Sequence, residues 1–192
     1  MMSRGLWLIF VCVMLVAGLH WLQKSLVELK HDESLPQIQG VVLSTPKLLP
    51  QVDLVDHENN LFTQENFNNH WAIIAYGYTH CPDVCPTTMA EMASWFEQLG
   101  DDGRDLQAYF VSIDPQRDTP AILGDYVSWV SDRITGLTGQ PEEIAKIAKD
   151  WGIYYAKVPL GGEDYSMDHT ASVFLLDDKG DFEGTIAYGE DQ

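Results

Sequence analysis

The stretch WAIIAYGYTHCPDVCPTTM, residues 71–89, predicts a strand, a loop and the start of a helix, in that order. Its first eight residues form a nearly continuous apolar run, which is typical of a strand buried on both faces. Beyond the loop, apolar residues recur at helical spacing until a glycine ends the pattern: Met89, Met92, Ala93, Phe96 and then Gly100. Cys81 and Cys85 therefore lie where a buried strand passes into a helix.

The same alternation of strands and helices continues on both sides of this stretch. Residues 52–63 predict a hairpin, and proline begins each of the two later helices. Such alternation indicates an α/β layer fold with a largely parallel central sheet and an antiparallel edge hairpin. Further strands are predicted over residues 106–113 and 133–137 and in the segments IYYAKVP, ASVFLLD and FEGTIAY, and helices over residues 119–130 and 141–152.

Proline directly follows each cysteine, and this restricts the local backbone. A residue before proline is disfavoured in the helical region, so we expect neither Cys81 nor Cys85 to be helical. Pro86 suits the first position of a helix, which predicts Cys85 as the cap residue, while Thr88 and Glu91 form a competing capping box one turn later. In either register the thiols lie beside the positive end of a helix dipole, which favours the thiolate form.

The spacing of the two cysteines leaves several interpretations open. Three residues separate the cysteines in CPDVC, one more than in the usual C-x-x-C dithiol motif. The wider loop allows two thiolates to bind one ion, and it also allows a disulfide. A redox or structural disulfide, a metal site and coincidence are all compatible with this spacing. A metal site would need a further ligand, for which histidine is the natural candidate.

All six histidines have ordinary interpretations that involve no metal. Five of them lie in the N-terminal segments, in a hairpin turn, at a strand entrance or next to Cys81: His20, His31, His57, His70 and His80. The last of these five is expected to make a local hydrogen bond. His169 immediately precedes an apolar strand, and by pattern alone it is a loop histidine bonded to a backbone group.

Composition indicates a globular protein and excludes one class of partner. Hydrophobic residues make up 45% of the 192 residues and charged residues 21%, so the chain can build a core. The formal net charge is −18, and residues 31–192 carry 8 Lys and Arg against 28 Asp and Glu. No Lys/Arg cluster offsets this charge, which argues against nucleic acid as a partner and favours a cation or a basic protein.

The N-terminus predicts a membrane segment. Residues 5–22 hold 18 residues without a charge between Arg4 and Lys24, which is long enough for one helix to cross a bilayer. A cleaved signal peptide is the alternative, because residues 16–18 form a passable cleavage site. We favour the uncleaved anchor, since the apolar run continues beyond that site. Cys12 lies inside the run and is interpreted as a small buried hydrophobe.

Three segments follow from these patterns: a membrane anchor over residues 1–24, a tether over residues 25–50 and a folded domain over residues 51–192. The tether lacks sustained periodicity and contains three prolines and a glycine. Either interpretation of the N-terminus exports the domain, so its cysteines meet an oxidising compartment. No transit peptide rich in Arg and Ser precedes the anchor, which favours a bacterial cytoplasmic membrane with the domain in the periplasm.

Five motifs give the chain a family resemblance, and they occur in the order YTHCPDVCP, VSIDPQRDTP, LTGQPEEIAKIAK, YYAKVP and DYSMDHTASVFLLDDKG. With them the chain resembles the Sco/SenC family of membrane-anchored, thioredoxin-like proteins that assist copper insertion into cytochrome c oxidase. The resemblance covers residues 52–188. It implies a thioredoxin-like α/β fold whose central mixed sheet is flanked by helices. It also implies that Cys81, Cys85 and His169 bind copper.

The resemblance further implies a function that joins metal binding to redox state. Two thiolates and one imidazole suit Cu(I), and an added ligand would allow Cu(II). The implied role is a membrane-anchored chaperone that delivers copper to the CuA centre of cytochrome c oxidase subunit II. Oxidation of Cys81 and Cys85 to a disulfide would remove the ligand set, which couples copper occupancy to redox state.

The alternative is an enzyme, a thiol-disulfide oxidoreductase that reduces cysteines of an oxidase subunit or of another exported protein. Cys81 and Cys85 would then be the catalytic redox pair, and His169 a bystander or a proton carrier. Other residues of the motifs have structural interpretations. Asp83 is interpreted as a loop residue and Met167 as a packing residue. Asp114 and Asp118 are interpreted as a turn residue and a helix-cap residue.

Overall fold

The computed structural model describes residues 53–189 together with Met14. The predicted anchor, the tether and Cys12 lie outside the stretch 53–189. Among the described residues, no helix is both long and apolar enough to span a membrane. In chain order the elements are β1 (Asp53–Asp56), β2 (Leu61–Thr63), a 3-10 helix (Gln64–Phe67), β3 (Trp71–Gly77), α1 (Val84–Leu99), β4 (Leu106–Ser112), α2 (Pro120–Ser128), β5 (Ile134–Thr138), α3 (Pro141–Trp151), β6 (Tyr155–Gly161), β7 (Asp164–His169), β8 (Val173–Leu176) and β9 (Phe182–Ile186).

Seven of these strands form one mixed sheet in the order β2-β1-β5-β4-β3-β8-β9. The three central strands, β5, β4 and β3, are parallel to one another. Both flanks are antiparallel, since β1 pairs with β2 and β5 on one side and β8 pairs with β3 and β9 on the other. The predicted α/β fold with a parallel centre and an antiparallel edge hairpin is confirmed.

The central strand β3 is buried on both faces, as its apolar sequence predicts. Every residue of β3 after Trp71 is buried. Tyr76 packs edge-on against Trp151 of α3, with ring centroids 6.0 Å apart, whereas the next residue, Gly77, lies against Cys85 of α1. Because successive strand residues point to opposite faces, α1 and α3 lie on opposite faces of the sheet.

Pro120 in the first turn of α2 and Gly152 after α3 are found as predicted. Thr119 is the cap residue of α2, and its Oγ1 accepts a hydrogen bond from the Ile122 amide at 3.4 Å, with Pro120 at the first position. Gly152 ends α3 with a φ of 71°. A side chain would be strained in this left-handed region, so glycine is well suited to the position.

The start of α1 differs from the prediction. Cys81 is outside the helix, as expected, but Cys85 is its second residue, so the prediction of Cys85 as a non-helical cap is wrong. Asp83 holds the cap position, and its carbonyl accepts the Thr87 amide at 3.3 Å. The first four amides of a helix have no intrahelical acceptor. Pro86, in the first turn, therefore removes no hydrogen bond from the helix. Cys85 is helical despite the steric preference of a residue before proline for extended backbone.

The hairpin of β6 and β7 is the second difference. These strands form a separate two-stranded antiparallel sheet. The sequence of β7, DYSMDH, has only two apolar residues, Tyr165 and Met167, and β7 is absent from the predicted elements. His169, predicted as a loop residue, is the last residue of β7 and pairs with Tyr155 at the base of the hairpin.

Candidate metal centre

The two cysteines lie at the carboxyl end of the central parallel strands, where β3 turns into α1. Open α/β sheets usually bind ligands at this end of their strands. Cys85 is 2% exposed and Cys81 is half-buried, and both are free thiols. Gly77 makes room for the buried sulfur, because a Cβ at this position would lie only 2.6 Å from Cys85 Sγ.

His169 is held by contacts on both sides of its ring. Its Nδ1 lies 2.8 Å from the carbonyl oxygen of Thr170. A carbonyl oxygen only accepts, so Nδ1 carries the proton, and Nε2 of the neutral ring offers a lone pair. Tyr78 meets the ring at 90°, with centroids 6.0 Å apart. A backbone acceptor of this kind is typical of histidines that bind metals.

The fold brings the lone pair of His169 to the cysteine pair. Nε2 lies 3.5 Å from Cys85 Sγ, across 84 positions of the sequence. The two sulfurs and a ring nitrogen of His169 all lie within 4.8 Å of one another. Two sulfurs and one imidazole nitrogen at this separation are donors for a soft metal ion. The structure thus brings together all three predicted ligands.

The two thiols differ in acidity because they share a hydrogen bond. Donation from the Cys85 thiol lowers the pKa of Cys81 to about 4, and backbone amides add to this effect against the opposing effect of burial. One of these amides is that of Cys85, 3.4 Å from Cys81 Sγ. The same hydrogen bond, together with burial, raises the pKa of Cys85. At neutral pH the pair therefore consists of one thiolate and one thiol.

The other histidines in the described part of the chain keep their ordinary interpretations. His57 Nδ1 accepts the Gly136 amide at 3.0 Å, and His70 shares a hydrogen bond with the Tyr109 hydroxyl at 3.0 Å. His80 makes the local hydrogen bond expected of it, 3.1 Å from the hydroxyl of the preceding threonine. His20 and His31 lie outside the described residues.

The acidic residues and the methionine of the motifs have structural roles, with one correction. Asp83 is exposed and makes no side-chain cap bond, and Met167 is buried in the core. Asp114 begins a turn, as predicted, since its carbonyl accepts the amides of the third and fourth residues after it. The prediction of Asp118 as a helix cap is wrong. Thr119 caps α2, and the Asp118 carboxylate is completely buried.

Comparison with known proteins shows the relationship that the motifs imply. Residues 43–192 match the model of the SCO1/SenC family. The chain belongs to this family. Among SCO1/SenC relatives, it is 33% identical over 171 residues to the mitochondrial SCO1 homolog of Homo sapiens, a match that covers 88% of this chain and 55% of the human protein. The chain therefore spans about half the length of that relative.

Two solved SCO1/SenC structures share the fold. Bradyrhizobium japonicum ScoI with copper bound has 37% identity and a TM-score of 0.71, covering 75% of this chain and 92% of ScoI. Yeast Sco1 with copper bound has 34% identity and a TM-score of 0.70, covering 76% of this chain and 82% of Sco1. The predicted thioredoxin-like fold is confirmed.

Sequence reasoning missed several residues that shape this SCO1/SenC site. Gly77 allows the Cys85 sulfur to approach closely, the Tyr78 ring packs against the His169 ring, and the Thr170 carbonyl accepts from His169. None of these contacts has a pattern in the sequence. Arg117 and Tyr165 stack against each other, with the guanidinium carbon 3.7 Å from the ring centroid. The charged run of VSIDPQRDTP was a signal for this cluster, because an arginine flanked by two aspartates after a buried strand can pair within the fold.

Proposed function

We propose that the protein binds copper through Cys81, Cys85 and His169 and serves as a copper chaperone in the assembly of cytochrome c oxidase. The observation that carries the proposal is the convergence of two sulfurs and an imidazole within 4.8 Å. Copper is the cargo of this site. Two soft sulfurs and a nitrogen suit Cu(I), and Cu(II) would be held with an added ligand.

The protonation states of the three residues favour metal capture. Cys81 is already a thiolate at neutral pH, since its pKa is lowered to about 4. His169 offers Nε2 because its Nδ1 proton is donated to the Thr170 carbonyl. Cys85 must lose its proton to become a ligand, so copper binding releases a proton from this residue. The half-buried Cys81 leaves an incoming acceptor a route to the metal.

Delivery completes the proposed chaperone role. The copper ion passes by ligand exchange to the CuA centre of oxidase subunit II, as the family resemblance implies. An N-terminal anchor over residues 1–24 and a tether over residues 25–50 would hold the domain at the periplasmic face of a bacterial cytoplasmic membrane. The formal charge of −18 favours a basic docking surface on the partner.

The unequal acidity of the thiols supports a second candidate function, thiol-disulfide exchange. A half-buried thiolate beside a buried thiol is the arrangement of a dithiol reductant. The Cys81 thiolate would attack a substrate disulfide, form a mixed disulfide and release one substrate thiolate. Cys85, after losing its proton, would attack Cys81 Sγ and release the second substrate sulfur, leaving a Cys81–Cys85 disulfide.

Copper titration of the reduced full-length protein tests the ligand set. We expect one copper ion per chain with Cu-thiolate absorption, both lost in Cys85→Ser, and weakened Cu(II) binding by a folded His169→Ala protein. Cys12→Ser and His80→Ala are matched controls that should bind as the unmodified protein does. If Cys85→Ser keeps the full copper stoichiometry and the Cu-thiolate absorption, the proposed ligand set is wrong. If His169→Ala keeps the Cu(II) affinity and spectrum of the unmodified protein, His169 is not a ligand.

Two further measurements separate the candidate functions. The reduction potential of the Cys81–Cys85 pair and its rate of disulfide exchange are measured without copper. Tight binding of one copper ion with slow exchange supports the chaperone. Rapid exchange with weak copper binding supports the oxidoreductase, because a reductant must cycle its thiols and has no need of a metal.

A further inference from the structure

One loop contacts both of the segments that carry the metal-centre residues. Residues 114–118, hereafter the bracing loop, connect β4 to α2 and carry two buried carboxylates and an arginine. The cysteines reach the centre on the segment after β3, whereas His169 reaches it on the separate β6–β7 sheet. No backbone ladder joins that sheet to the main one, so side-chain contacts help to set its position.

The first contact holds the segment that carries the cysteines. Asp118 accepts the Thr79 amide at 3.0 Å and the Thr79 hydroxyl at 2.6 Å. The hydroxyl of Ser112, at the end of β4, donates to the same carboxylate at 2.6 Å. Three donors on a fully buried carboxylate form a fixed network. This network ties the backbone two residues before Cys81 to the end of the central sheet.

The second contact holds the hairpin that carries His169. Arg117 donates from Nη1 to the backbone carbonyl of Tyr165 at 2.9 Å, and its guanidinium stacks on the Tyr165 ring. Arg117 also pairs with Asp114, which accepts the Tyr165 hydroxyl at 2.8 Å. Tyr165 precedes His169 by four residues on β7. One arginine, one carboxylate and one tyrosine thus form a closed set of contacts between the bracing loop and the hairpin.

A third pair lies at the surface of the same junction. Lys157 of β6 donates to Gln116 Oε1 at 2.6 Å, and its Nζ lies 4.2 Å from the centroid of the Tyr165 ring. Both strands of the hairpin are therefore bonded to the bracing loop.

We propose that the bracing loop is a positioning element for the metal centre, in which Asp118 sets the cysteine segment and Arg117 sets the His169 hairpin. The inference rests on the proposed copper site for its consequence, though the positioning itself requires no metal. Without Arg117 the hairpin loses the hydrogen bond to the Tyr165 carbonyl and the stacking on the Tyr165 ring, and His169 Nε2 moves away from the sulfurs. Mutation of a residue that orients a metal ligand typically lowers metal affinity by about 10- to 100-fold.

Arg117→Met and Arg133→Met form a matched pair for the test. Arg133 makes the same kinds of contact at the amino end of β4, where it stacks on Phe96 at 3.8 Å and donates to the Gly103 and Leu106 carbonyls. Each variant of the reduced full-length protein is measured in two ways. One measurement is Cu(II) affinity with the copper EPR spectrum, and the other is the metal-free nuclear Overhauser effect between the Tyr78 and His169 rings.

We expect Arg117→Met to weaken Cu(II) binding by about 10- to 100-fold, to change the EPR spectrum and to lose the ring-to-ring effect. Arg133→Met should keep the Cu(II) affinity, the EPR spectrum and the ring-to-ring effect of the unmodified protein, even if it lowers the melting temperature as much as Arg117→Met does. Retention of the spectrum and the ring contact in Arg117→Met, or equal losses in Arg133→Met, would overturn the proposal. If the unmodified protein binds no copper, the copper function fails, and the metal-free ring contact alone decides the positioning role.

Two milder variants keep the test decisive if Arg117→Met does not fold. Tyr165→Phe removes only the hydroxyl that donates to Asp114, and we expect a weakened ring-to-ring effect in the folded protein. Thr79→Val removes one donor to Asp118, and we expect an altered Cu-thiolate absorption with the ring-to-ring effect retained. An unchanged ring contact in Tyr165→Phe refutes the hairpin half, and an unchanged absorption in Thr79→Val refutes the cysteine half.

Discussion

Gly77→Ala should disturb the metal centre by steric displacement alone. The backbone of Gly77 is outside the positive-φ region, so alanine brings no backbone strain. A Cβ would lie 2.6 Å from Cys85 Sγ and 2.8 and 2.9 Å from two ring carbons of Phe110. Ordinary contacts between such atoms begin at about 3.5 Å, so the sulfur would move by roughly 0.9 Å. Binding sites tolerate displacements of only about 0.5 Å.

This displacement predicts both a stability loss and a binding loss. Overpacking of this kind costs about 1–3 kcal/mol, which lowers the melting temperature of a chain of this size by roughly 2–12 °C. Copper affinity should fall about tenfold or more, as for other losses of ligand positioning. Melting curves and copper titrations of the reduced protein measure the two effects.

Two other glycines provide graded controls for Gly77→Ala. A Cβ at Gly136 would lie 3.1 Å from Leu123 Cβ, and a Cβ at Gly184 would meet nothing within 4 Å. Gly136→Ala should lower stability without changing copper affinity, and Gly184→Ala should leave the packing unchanged. A Gly77→Ala protein that melts and binds copper as the unmodified protein does would refute the steric account. An equal loss of affinity in Gly136→Ala would refute its link to the Cys85 sulfur.

Two predictions concern the protons of the cysteine pair. Because the pKa of Cys85 is raised and that of Cys81 is lowered to about 4, copper binding near neutral pH releases one proton from the pair, the one on Cys85. The apparent affinity for copper should therefore rise about tenfold per pH unit between about pH 7 and pH 8.5, as measured by copper titration at several pH values. A hundredfold rise per pH unit would show that both thiols start protonated. Alkylation of the metal-free protein by iodoacetamide, followed by peptide mass spectrometry, should modify Cys81 at a nearly constant rate between about pH 5 and pH 8, with Cys85 much slower. An alkylation rate of Cys81 that rises tenfold per pH unit would show that Cys81 is not a thiolate in this range.

Local patterns were sufficient for most of the fold. The apolar run of β3, the proline in the first turn of α2 and the glycine after α3 each depend on neighbours within a few residues, and each prediction is confirmed. The position of the cysteines beside a helix start also follows from local order. Cys85 is the exception, because the preference of a residue before proline is a weak bias that packing of the first helical turn overcomes.

The amino-acid sequence by itself determined the α/β order, the cysteine pair at a strand-to-helix junction and, through its motifs, the SCO1/SenC family. Only the tertiary structure decided that His169 Nε2 faces Cys85 Sγ, that Asp118 is a buried acceptor and that Arg117 holds the β6–β7 hairpin. The physical reason is distance along the chain. Strand patterns and helix caps depend on nearby residues in the sequence, whereas a contact across 84 residues exists only after the sheet has assembled and packed its side chains.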